Sequence, residues 1–213
     1  LITPESRGAY EEHAKMIPMS RPGWLDELPE SMTEAEYREL SEEVSRTIEV
    51  VYGHVIKCES PTPRHSRIAR RMANALESAR RPSGPCLTVD TEVDVVLWRV
   101  PRFTFRRPDV VVYQCLDDPA RKPTAQETVL VVEVTSPSTA QEDLLDKKTQ
   151  YAAAGIPLYL VVVLDDKYDI WEIREFHLDA ATAAYRLYAV HGSVLDLEQP
   201  VRLTLPISDL VTA

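Results

Sequence analysis

Cysteine is scarce in this chain. Its 213 residues include three, Cys58, Cys86 and Cys115, widely separated and without a C-x-x-C pair. That excludes a disulfide scaffold and makes reduced cytoplasmic thiols the expectation. Long apolar runs are also missing, which excludes a membrane-spanning helix, and the N-terminus has no basic-then-apolar signal pattern. Positive charge is in deficit. The net charge of −10 argues against nucleic-acid binding by the surface as a whole. What remains is ordinary for a globular protein: 44% hydrophobic and 27% charged residues, in a chain long enough for one domain with a sizeable core.

The charge is uneven. Residues 64–107 carry ten arginines against four acids, a local +6, while the remaining 14 basic and 30 acidic residues leave −16. Such a segment is compatible with one nucleic-acid-facing surface and equally with ordinary solvated arginine.

Residues 1–30, with Pro4, Pro18, Pro22 and Pro29, read as a loosely ordered arm, and 31–213 as a single domain. Thr33–Glu36 has capping-box spacing, which predicts a helix over 34–43. The run 46–57 reads as a hairpin about Tyr52–Gly53. Helical periodicity follows over 64–80, with Ile68, Met72 and Leu76 on the apolar stripe and Arg64, Arg67 and Arg71 on another face; His65 reads as a surface or capping residue. Residues 86–98 alternate with period two, so Asp90, Glu92 and Asp94 are expected on a solvated strand face. A helix from Ser138 or Thr139 to Ala154, stopped by Gly155 and Pro157, precedes a buried strand over 158–164. This strand–helix–strand unit implies a parallel crossover and an α/β fold. Beyond it, 168–176 and 185–190 look like a strand pair.

Three residues stand out. Asp109 and Glu133 lie in the β-branched runs 108–113 and 129–135, where a bare carboxylate is costly unless paired or metal-bound. Lys147 follows Glu133 by 14 residues, on the next helix. Two converging carboxylates suit Mg²⁺, which needs only one or two, with water and phosphate oxygens completing its shell. A bound ion polarises a phosphoryl group and activates water, and a lysine can balance the developing charge. Spacing alone leaves Lys147 evenly placed between this role and a surface pair with Asp143. Glu49, a third acid in a strand-like run, reads from local pattern as an edge charge facing water.

Arg107–Val112, Val131–Ser138, Asp143–Lys147 and Tyr151–Pro157, with Glu49–Gly53 and Ser60–His65 upstream, resemble the Uma-two family of putative restriction endonucleases, within the PD-(D/E)XK nuclease superfamily. The likeness covers about residues 33–165. It implies a restriction-endonuclease-like mixed β-sheet core flanked by helices, with an N-terminal helix and hairpin and a C-terminal strand pair. It further implies that Asp109, Glu133 and Glu49 bind Mg²⁺, with Mn²⁺ as a substitute, and that Lys147 is the catalytic lysine. Tyr52 and His54 depart from the acids often found beside that glycine. The expected function is a Mg²⁺-dependent DNA endonuclease. Arg64, His65, Arg67 and Arg71 would contact DNA, and a homodimer would supply two sites for two strands. Two alternatives stay open: a non-catalytic nucleic-acid or partner-binding protein on this fold, and a phosphodiesterase acting on RNA or nucleotides.

Overall fold

The computed structural model describes residues 28–58, 60–135 and 141–211, the side chains of 141–143 excepted. Nearly all of the expected arm, the expected Ser138 or Thr139 cap and the Asp143 side chain lie outside the described residues.

The capping box at Thr33 forms as expected: Glu36 N donates to the Thr33 hydroxyl, and Thr33 N donates to the Glu36 carboxylate at 2.7 Å. The helix is shorter than expected, however. Helix α1 spans Glu34–Arg38, and α2, Glu42–Ser45, starts afresh because the Ser41 side chain caps Val44 N. Strands β1 (Ile48–Val51) and β2 (His54–Lys57) form the expected hairpin. Its turn needs two left-handed residues, Tyr52 (φ 51°) and Gly53 (φ 80°), as a two-residue hairpin loop commonly does. Helix α3 runs Pro63–Ser78 and buries Ile68, Met72 and Leu76.

The single strand expected over 86–98 is two. Strand β3 (Leu87–Thr91) ends where Glu92 takes φ 55°, and β4 (Val95–Trp98) enters a different sheet. The turn breaks the alternation, so Asp94 is not on a solvated face but 2% exposed. Its carboxylate accepts from Tyr37 Oη at 2.6 Å and Arg107 Nε at 2.8 Å, with Lys122 Nζ at 3.2 Å. Strands β5 (Thr104–Arg106), β6 (Val110–Gln114) and β7 (Thr128–Thr135) follow, then helix α4 (Gln141–Ala153) and strand β8 (Leu158–Leu164). The helix stops at Gly155, φ 85°, with Ile156 N bonded to Tyr151 O at 3.1 Å, a glycine-terminated cap.

Two principal sheets result. One has the order β2-β1-β5-β4. The other has six strands, β10-β9-β8-β7-β6-β3, where β9 is Ile170–Asp179 and β10 is Ala184–His191. Within it β7 and β8 are parallel, joined across α4 as expected, and the other pairings are antiparallel. Even-numbered β7 residues Leu130, Val132 and Val134 pack with the Ile68–Leu76 stripe of α3, while Val131 packs with Tyr151 and Ala152 of α4. The described residues therefore place one helix layer on each face of a mixed sheet. Strands β11 (Val194–Leu197) and β12 (Leu203–Pro206) form a separate hairpin; Ile207 and Leu210, in the 3-10 turn after it, close the α3-side core.

The cysteine expectation is corrected as well. Cys86 and Cys115 form a disulfide, and Cys58 is the free cysteine. Pairing of Leu87 with Gln114 across β3 and β6 brings the flanking cysteines to a Cα separation of 5.4 Å, within bridging range. Among the described residues no helix is long and apolar enough to cross a membrane.

Candidate active site

Strands β6 and β7 pair antiparallel with Val110 opposite Val132. One step further along that register sets Asp109, just before β6, across from Glu133. Period two turns the Glu133 side chain toward α4, where Lys147 and Tyr151 lie one turn apart on a shared face.

Glu133 is 4% exposed. Lys147 Nζ donates to its Oε2 at 3.0 Å, and Tyr151 Oη donates to its Oε1 at 2.7 Å. Burial pushes the Glu133 carboxyl up to about 7, and the charges of Asp109 and Glu49 add to the rise against the opposing effect of Lys147 and Tyr151. The buried Tyr151 hydroxyl is raised well above its ordinary value, by burial first and by Glu133 next.

Asp109 lies at the rim. Its Oδ2 accepts from Val134 N at 2.6 Å, and His65 Nε2 is 3.1 Å away. His65, in the first turn of α3, also has Nε2 at 2.9 Å from Val134 O. Burial works to lower the His65 pKa, but Asp109, the Val134 carbonyl and the charge of Glu133 together outweigh it and leave it raised.

Glu49 does not face water. It is 3% exposed, with Arg106 Nη1 donating to Oε2 at 2.6 Å and Arg107 N to Oε1 at 2.7 Å. Arg106 Nε also donates to Gln150 of α4 at 2.8 Å. One buried guanidinium thus ties β1 and β5 to the helix that carries Lys147.

The structure brings Asp109, Glu133 and Lys147 together, with Glu49 behind them and His65 beside Asp109. It treats the arginines of α3 differently. Arg64 bonds Asp169 at 2.5 Å and the carbonyls of Tyr168 and Val211, and Arg71 bonds the Asp209 carbonyl, so both brace the C-terminal segment. Arg67 is half-buried and has no polar partner among the described residues. Sequence reasoning missed Tyr151 as a site residue, although its position four after Lys147 is a readable signal. It also missed that His65 faces Asp109, because their contact spans 44 residues.

The two carboxylates suit a hard cation. Among the described residues no group of three His, Cys, Asp or Glu could hold a metal. A pair of oxygen donors is nevertheless enough for Mg²⁺ with water and phosphate. Like charge also destabilises the ionised Glu133, and a cation relieves that.

No curated protein matches this chain. It is similar to a crystal structure of a putative nuclease belonging to DUF820 from Anabaena variabilis, at 16% identity and TM-score 0.63, covering 84% of this chain and 97% of that one. At that identity the likeness establishes the fold, a nuclease fold of mixed sheets flanked by helices. The model of the Uma2 family, described as putative restriction endonucleases, matches residues 34–208, and the chain belongs to that family.

Proposed function

We propose that this chain is a Mg²⁺-dependent DNA endonuclease. The observation that supports this most is Glu133, a buried carboxylate held by Lys147 and Tyr151 and opposed by the charge of Asp109. Family membership supports a nuclease; the metal and the DNA substrate are the proposal.

Asp109 and Glu133 would hold the ion, with Mn²⁺ able to substitute; the Glu133 oxygens already accept from Lys147 and Tyr151, so it would share them with those donors. When bound, it would polarise the scissile phosphoryl group and lower the pKa of a bound water. Tyr151 keeps one Glu133 oxygen oriented. Lys147, 14% exposed, holds its ammonium where it can orient the attacking water and balance charge on the phosphate. Glu49 is proposed as the third acid. Its field reaches Glu133, but both its oxygens serve Arg106 and Arg107, so direct metal contact requires those bonds to open. Of Arg64, Arg67 and Arg71, Arg67 is the one best placed to meet a phosphate, since the other two have internal partners. Double-strand cleavage takes two antiparallel sites, for which we propose a homodimer.

The acidic surface keeps a second reading open, phosphodiester cleavage of RNA or nucleotides. Cleavage of supercoiled, linear and single-stranded DNA and of RNA, with and without Mg²⁺, separates the two. Mg²⁺-dependent nicking of supercoiled DNA that is lost in Glu133→Gln is expected. Cleavage of RNA alone would transfer the proposal to the second reading, and activity preserved in Glu133→Gln would end both.

A further inference from the structure

We propose that His65 is a positioning residue that fixes Asp109 for metal binding. The inference rests on the metal site proposed above and assigns His65 a role distinct from contacting phosphate.

Both neighbours of His65 Nε2, the Val134 carbonyl at 2.9 Å and the Asp109 carboxylate at 3.1 Å, are acceptors. Nε2 must therefore carry the proton that bridges them. The other ring nitrogen, Nδ1, is buried and has no partner among the described residues. The ring is thus a fixed donor whose hydrogen is spent inside the protein.

Asp109 Oδ2 thus accepts from Val134 N–H at 2.6 Å and has His65 Nε2 3.1 Å away on another side. Residue 134 serves on both sides, giving its N–H to Asp109 and its C=O to His65. The local chain explains how the ring is held. Thr62 caps α3 through a bond from His65 N at 3.3 Å, Pro63 begins the helix, and Arg64 is anchored on Asp169. With Oδ2 engaged by both, Oδ1, which has no donor among the described residues, is the oxygen left to an incoming cation. Partners behind a ligating group typically change metal affinity 10- to 100-fold.

The experiment titrates Mn²⁺ into DNA-free protein by calorimetry, for wild type, His65→Ala and His65→Gln. Alanine should weaken Mn²⁺ binding by about 10- to 100-fold, and glutamine, which retains an N–H at comparable reach, should recover most of it. The Mg²⁺ concentration for half-maximal cleavage should rise in parallel, while the salt slope of duplex binding stays unchanged. Should alanine unfold the chain, His65→Asn carries the same expectation, because its amide falls short of Asp109. Wild-type Mn²⁺ affinity in a folded His65→Ala overturns the proposal. So does a salt slope reduced by about one with unchanged Mn²⁺ affinity, which would make His65 a phosphate contact. Failure of wild type itself to bind Mn²⁺ would instead defeat the metal reading beneath it.

Discussion

Two corners of the molecule bury a glutamate in an apolar strand, and they do so differently. At the β1–β5 corner, Glu49 meets a guanidinium and a backbone N–H, 2.6 and 2.7 Å away. At the β7–α4 corner, Glu133 meets an ammonium at 3.0 Å and a phenol at 2.7 Å, with Asp109 opposing it. Arg106 keeps its charge at any working pH, so a cation would reach Glu49 only by displacing that guanidinium. Glu133 is left under-compensated, its carboxyl raised to about 7. A buried charge that is fully matched serves the fold. One left partly unmatched, beside a second carboxylate, is poised for a cation or a proton.

The contrast can be tested by removing each charge in turn. Glu49→Gln removes the carboxylate charge facing the buried Arg106 and should destabilise the protein by roughly 3–5 kcal/mol, as breaking a buried pair does. Urea unfolding measures this, and a loss below about 1 kcal/mol would contradict the closed-pair account. Next in size is Lys147→Ala, for which single-turnover cleavage should fall about a hundredfold or more while the fold persists. A rate within threefold of wild type would remove Lys147 from the chemistry.

Glu133→Gln should act in the opposite sense to Glu49→Gln. With Glu133 raised to about 7 in the folded protein, against about 4.3 unfolded, the folded state binds more protons between those values. Stability of the metal-free protein therefore falls as pH rises through that window. The glutamine variant should lose this slope and gain on the order of 1–3 kcal/mol over wild type at pH 8, together with loss of cleavage. Parallel pH slopes in melting temperature for the two proteins would contradict it. Tyr151→Phe is milder. It removes one donor from Glu133, so a stability change of about 1 kcal/mol and roughly tenfold weaker Mn²⁺ binding are expected, read by denaturation and calorimetry. Lys148→Ala should be smallest. Lys148 Nζ lies 3.8 Å from the centroid of the Phe176 ring, on a different side of α4 from Lys147. Its loss should cost about 0.5–1 kcal/mol of stability and leave the cleavage rate unchanged.

Asp109 and Glu133 were legible because the runs around them exclude charge, and a carboxylate there is conspicuous. The α4 crossover was legible through the unbroken apolar run 158–164 and the Gly155 stop. Glu49 was not, from local pattern, because the group that allows its burial, Arg106, stands 57 residues away. The Glu92 break was hidden by an alternation that continues through it unchanged in the sequence. The Cys86–Cys115 bridge depends on β3–β6 register, which spacing does not encode. Tyr151 could have been placed by helical period alone. The α3 arginines show the converse: their clustering was visible, but their destinations at Tyr168, Asp169, Asp209 and Val211 were not.

The disulfide makes a closed ring of the segment between its cysteines, 29 positions apart. That ring contains β4, β5 and Asp109, the whole excursion from the six-stranded sheet into the smaller one and back. In the chain-entropy account, closing a loop of this length restricts the unfolded chain by roughly 3–4 kcal/mol. It also gives the protein an unusual response to a protease. A single cut anywhere between Leu87 and Gln114 leaves one covalent molecule, and two fragments separate on a denaturing gel only after reduction.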